Sequence, residues 1–168
     1  SLSFLEPMEN VNYIYGKTTD RKPITLDGFR VESFMIYGNK SGEEIVDIYL
    51  KSGEEVSVYV LTDQGDSIPD SLADCMIAAK QNPEILTRPH PLNLIGCDTF
   101  EGINYFFDGN AVDYYITDRD SGEDMVELHF ASGNVIKVLN ALDENLYPGE
   151  SVETLVDGCI CRYFGDKD

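Results

Sequence analysis

The sequence predicts an α+β fold made of two tandem, pseudo-symmetric antiparallel β-meander-plus-helix units that share a core. Three observations predict it. SGEEIVDIYLKSGEEVSV at 41–58 and SGEDMVELHFASGNVIKV at 121–138 match at positions 80 apart. In both copies apolar residues alternate with polar ones on either side of a Ser-Gly pair, the pattern of a half-buried hairpin. After each hairpin comes an apolar pattern with the helical period.

Residues 1–11 read as a flexible N-terminal segment, with Met8 a candidate natural start and 1–7 an appended leader. Unit 1 covers 12–83. A strand over 29–37 follows the Asp27-Gly28 turn. Val46, Ile48 and Leu50 mark a second strand, Val56, Val58 and Val60 a third, and Gly53 supplies the positive φ of the hairpin between them. Ser67 is placed to cap a helix, Pro69 fits its first turn, Asp70 favours its positive end, and Asn82-Pro83 stops it. The Pro-rich connector 84–92 is stiff and extended, because Pro89 and Pro91 flank His90.

Unit 2 covers 93–164. Asp108-Gly109 corresponds to Asp27-Gly28 at an offset of 81, and the strand over 111–117 follows it. Val126, Leu128 and Phe130, then Ile136 and Val138, rebuild the hairpin around Ser132-Gly133. Ser151 is placed to cap a helix with Val152, Leu155, Val156, Cys159, Ile160 and Tyr163 on one face. Gly158 costs that helix about 1 kcal/mol relative to Ala, and its β-branched content leaves a strand over 159–164 as the alternative. Residues 165–168 form a tail. Units of this size lie near the lower limit for independent folding, so one continuous core about a pseudo-twofold axis is expected.

The 168 residues carry 31 acidic and 12 basic side chains, a net charge of −19. Residues 1–97 hold 15 acidic and 8 basic residues, a net of −7, and residues 98–168 hold 16 and 4, a net of −12. Such an excess repels phosphate backbones and anionic lipid, which argues against direct nucleic-acid and membrane binding. It favours a basic protein surface as partner. Oligomeric state is left open. The four cysteines lack C-x-x-C spacing and read as free thiols of a cytoplasmic protein.

No metal, cofactor or catalytic constellation is expected. The acidic run 118–124 departs from a calcium loop, because Gly122 falls one place early and His129 stands where a bidentate Glu belongs. His129 replaces Tyr49 of the first copy and reads as a satisfied strand residue. Cys97 lacks a local activating group. The expected function is therefore non-enzymatic binding of a basic partner, as an inhibitor, an immunity factor or a nucleic-acid (DNA) mimic of a mobile element. The Tyr-rich, acidic stretch of unit 2 supplies the candidate surface: Tyr105, Asp108, Asp113, Tyr114, Asp118, Asp120, Glu123 and Asp124. The alternative is a small ligand held in the cleft between the units.

Overall fold

The computed structural model describes residues 11–38, 40–87, 90–119 and 122–165. β1 (Tyr13–Lys17) and β2 (Pro23–Asp27) form a hairpin. A 3-10 turn at Gly28–Arg30 leads into β3 (Val31–Gly38), β4 (Glu44–Leu50) and β5 (Glu55–Tyr59), an antiparallel meander. α1 (Ile68–Gln81) follows, then the single turn α2 (Glu84–Thr87). The second half runs in the same order: β6 (Leu94–Asp98), β7 (Asn104–Asp108), a 3-10 turn at Gly109–Ala111, β8 (Val112–Asp118), β9 (Met125–Phe130), β10 (Val135–Leu139) and α3 (Val152–Gly165). The fold is mixed α+β with antiparallel sheets, and among the described residues no helix is long and apolar enough to cross a membrane.

The local signals act as their chemistry dictates. Gly53 and Gly133 hold φ of 96° and 92° in the two hairpin turns. Ser67 Oγ accepts from the Asp70 N–H at 3.2 Å, and Ser151 Oγ accepts from the Thr154 N–H at 3.2 Å. The stretch 159–164 is helical, so tertiary packing overrides the β-branched content and Gly158. Each meander gains a preceding hairpin, β1–β2 or β6–β7, on the Tyr-rich stretches. The connector is extended only in part: residues 84–87 make a helical turn that buries Ile85, while Arg88 and Pro89 lie outside the described residues.

Ladders assemble a five-stranded sheet in the order β1-β2-β8-β9-β10, a three-stranded sheet β3-β4-β5 and a two-stranded sheet β6-β7. Isolated bridges link them. Thr18 bridges Val58 of β5, and Thr99 bridges Val138 of β10. The strands thus follow one another in a single array, β3-β4-β5-β1-β2-β8-β9-β10-β6-β7. The halves meet where β2 pairs antiparallel with β8, through Ile24↔Ile116, Thr25↔Tyr115 and Leu26↔Tyr114. This corrects the expected pseudo-twofold arrangement. A twofold axis that set β2 against β8 would also set β7 against β3, and no such ladder exists among the described residues.

The single core expected for the two units is also divided. Ile14, Ile24 and Leu26 join Val46, Ile48, Val58 and Leu72 in one cluster, and Tyr114 of the second half completes it. Val126, Leu128, Val138, Val152 and Val156 form the other with Tyr115. Successive strand residues point to opposite faces, so Tyr114 and Tyr115 enter different cores. The five-stranded sheet stands between them.

Each helix docks on a glycine of the 3-10 turn. A Cβ on Gly109 would sit 2.5 Å from Cys159 Sγ and 2.9 Å from Ile95 Cδ1, and a Cβ on Gly28 would collide with Cys75 Sγ. Close approach, not φ, requires these glycines. Gly109→Ala should lower unfolding free energy by about 1–3 kcal/mol in denaturant melts, and Cys159→Ala in the same chain should recover part of the loss. An unchanged midpoint for Gly109→Ala would contradict the tight helix contact.

Candidate functional site

The residues singled out on the second unit divide into two groups. Asp113 and Asp118 are buried, and both are paired. Asp113 Oδ1 accepts from Arg30 at 3.1 Å, and Arg30 also donates to the Asn110 carbonyl at 2.5 Å. Asp118 Oδ2 lies 3.0 Å from Lys137 Nζ and 3.4 Å from Lys22 Nζ. Tyr114 is buried against the His129 ring, with centroids 4.1 Å apart. Tyr105 stacks on Phe107 inside the second core, and Asp108 caps the 3-10 turn by accepting from the Asn110 N–H at 3.0 Å. Glu123 and Asp124 remain outward, Asp124 pairing with Arg119 at 2.9 Å. Asp120 lies outside the described residues. The structure therefore gathers Asp113, Tyr114 and Asp118 along the junction of the halves and leaves two of the named acids on the surface.

That junction is a polar seam with partners from both halves. His129 on β9 stands between two carboxylates: Nδ1 is 3.0 Å from Glu54 Oε2 of the first half, and Nε2 is 2.7 Å from Glu127 Oε2. Burial alone would lower the His129 pKa, but the hydrogen bonds and charges of Glu127 and Glu54 outweigh it and raise it. Glu127 is correspondingly lowered, chiefly by the bond from His129. On the other face, Asp157 of α3 accepts from Tyr115 at 2.7 Å and Tyr13 at 3.3 Å. Asn12 donates to the Ile160 carbonyl at 2.9 Å and to Asp27 at 3.0 Å. Full burial pushes the Asp27 carboxyl up to about 6, against the opposing pull of Arg30.

Beside this seam a cleft of about 410 Å³ opens between the halves. Arg30, Lys51 and Ser52 line it from the first half, His90 from the connector, and Asp113 and Ala131 from the second half. Its lining brings Arg30 and Lys51 together with one acid, Asp113, which is paired with Arg30. The pattern was not visible beforehand, because Lys51 and His90 share no sequence motif. The Cys97 nucleophile reading loses its chemistry here. Burial pushes the Cys97 thiol up to about 11 and Cys75 to about 12, so both stay protonated. None of the four cysteines is in a disulfide. Among the described residues no group of three or more His, Cys, Asp or Glu side chains is placed to hold a metal ion. Comparisons with protein-family models, curated proteins and solved structures found no match.

The clamp on His129 gives stability a pH dependence of known sign. Its folded pKa is raised, so the stabilisation is fully present below the unfolded value near 6.5 and fades as pH rises through the folded value. His129→Gln should cost about 1–3 kcal/mol at low pH, and the gap between wild type and variant should narrow as pH rises. Paired urea melts across pH measure it. A constant gap would mean that His129 is not held as an imidazolium.

Proposed function

We propose that this chain is a non-enzymatic acidic binding module, derived from an internal duplication, that covers a basic surface on another protein. Inhibitor, immunity factor and nucleic-acid mimic of a mobile element are the roles that fit such a module. One observation carries the reading: six of the twelve cations are engaged by acids of the same chain. Arg30 is held by Asp27 and Asp113, Lys22 and Lys137 by Asp118, Lys17 by Asp63, Arg21 by Glu43 and Arg119 by Asp124. Outward acids such as Glu55, Asp66, Asp74, Glu101, Glu123 and Glu144 lie on both halves. The net charge of −19 is thus expressed toward solvent, where it steers a basic partner.

The test is capture of partners from an extract of the native host on the immobilised chain. Retained proteins should be basic and should release as salt rises, because an electrostatic interface weakens with screening. Glu101→Gln, Glu123→Gln and Glu144→Gln together should weaken retention and leave the melting temperature within about 0.5 kcal/mol of wild-type stability. Retention that ignores both salt and these substitutions would overturn the reading.

A second reading has its own support in the basic cleft between the halves. Arg30, Lys51, Ser52 and His90 suit a small anionic ligand, with Asp113 holding Arg30 in place. Inorganic phosphate or citrate should then raise the melting temperature of the wild type by mass action and leave Lys51→Gln unchanged. Equal shifts in both proteins would remove the cleft as a ligand site.

A further inference from the structure

The ten-strand array has two open ends. β5 is bridged to the β1 hairpin through Thr18↔Val58, and β10 to the β6 hairpin through Thr99↔Val138. Among the described residues β3 has a ladder partner only in β4, and β7 only in β6. Both ends are apolar and lack charge over their central residues, Ser33–Tyr37 and Asn104–Phe107. Edge strands are ordinarily blunted with Lys, Pro or a bulge, and β3 has a register shift only at its start, between Val31 and Ser33. Here Met35 is 58% exposed on β3 and Phe106 is 64% exposed on β7.

The two open ends are the counterparts of the two strands that join inside the chain. β3 matches β8 and β7 matches β2, each at an offset of 81. The matched strands differ mainly in what covers them. β2 and β8 are buried almost throughout, whereas β3 exposes most of its length and β7 exposes Asn104 and Phe106. Carrying the β2–β8 register over by 81 sets Tyr105 opposite Met35, Phe106 opposite Phe34 and Phe107 opposite Ser33. The ion pair Lys22–Asp118 at the end of the internal junction maps onto Ile103 and Tyr37. Those two residues are exposed at 65% and 45%, and both are uncharged where the internal junction is charged.

We propose that the chain assembles head to tail, with β7 of one copy pairing antiparallel with β3 of the next. The register rests on the duplication proposed above. The open edges themselves do not. Joining unlike edges is a heterologous contact, which propagates into a filament unless its rotation closes a ring. The occupant is a second copy because each end presents a face whose complement lies at the other end of the same chain. Neighbouring copies are both strongly acidic, so their association should strengthen with salt. The capture of a basic partner weakens with salt, which keeps the two readings separable.

Sedimentation velocity of the full chain over a wide concentration range, at low and high salt, is the experiment. The expected result is a mass that climbs with concentration and with salt. Met35→Glu blocks the β3 end and Phe106→Glu the β7 end, and each alone should raise the concentration needed for association by roughly tenfold or more. Mixed together, they should form a one-to-one dimer that grows no further, since each copy keeps one working edge. Phe106 covers Gly96 on the neighbouring strand, so a variant-free measurement accompanies these. In concentrated wild type, amide exchange should slow in β3 and β7 relative to dilute protein. A chain that stays monomeric at all concentrations overturns the proposal. So does dimerisation that Met35→Glu abolishes and Phe106→Glu leaves intact, which would mean β3 pairing with β3. Protection of β3 and β7 that is independent of concentration overturns it too, since it would mean closure within one chain.

Discussion

The junction of β2 with β8 is the constraint on which the rest of this structure depends. Three register pairs join the halves, and the strands that make them are covered on both faces. A doubly covered strand must send alternate residues into different cores. Tyr114 therefore completes the first cluster and Tyr115 the second. A slip by one residue would exchange those two rings and place Thr25 where Leu26 now packs. Register is for that reason strongly specified here, although each half has its own apolar centre.

Burial of the junction explains its polar chemistry. A buried acid needs a partner or a proton. Asp113 obtains Arg30, and Asp118 obtains Lys22 and Lys137. Asp157 obtains two phenolic donors, Tyr13 and Tyr115, yet burial still raises its pKa. Asp27 retains a raised pKa even beside Arg30, because its full burial outweighs the pull of a guanidinium shared with Asp113 and the Asn110 carbonyl. These contacts are satisfied rather than strongly stabilising, since desolvation offsets much of the attraction in buried pairs. Their consequence is geometric. Arg30–Asp113, Lys22–Asp118 and Tyr13–Asp157 each link one half to the other, so the relative placement of the halves is set by groups that cannot tolerate being left alone.

Much of this fold was legible in sequence, and the parts that were not have physical reasons. The Ser-Gly turns, the Ser67 and Ser151 caps and the apolar alternation of β4, β5, β9 and β10 are local signals, and local chemistry decides them. The β1–β2 hairpin escaped because its turn lacks the usual mark: Arg21, not a glycine, takes the left-handed conformation at φ 67°. Tyr13 and Tyr15 are alternate residues of β1, and Tyr13 bonds to Asp157 of α3. The candidate site failed on a different point. Asp113 looks like a surface acid until Arg30, 83 residues away, is seen beside it. Glu123 is exposed, as its sequence suggests.

The differences between matching positions follow the junction more closely than they follow the folding of either unit. Ser33 and Met35 of β3 correspond to Tyr114 and Ile116 of β8, and the larger or branched residue stands where a second strand covers it. Glu32 faces solvent on β3, whereas its counterpart Asp113 is 1% exposed and shorter, reaching Arg30 without crowding the ladder. Tyr49 has become His129, which gains Glu54 from the other half. Glu127, at the place of Asp47, gains reach to the same imidazole, while Asp47 accepts from Ser57 within its own meander at 2.5 Å. The two meanders thus sit in two environments. The outer edge keeps uncharged apolar side chains in solvent, and the inner seam carries charges with partners. Solubility alone would favour the reverse assignment, with charges on the open edge and apolar groups in the seam. The observed one is what a chain needs if its inner seam must fix one register and its outer edges must remain able to pair.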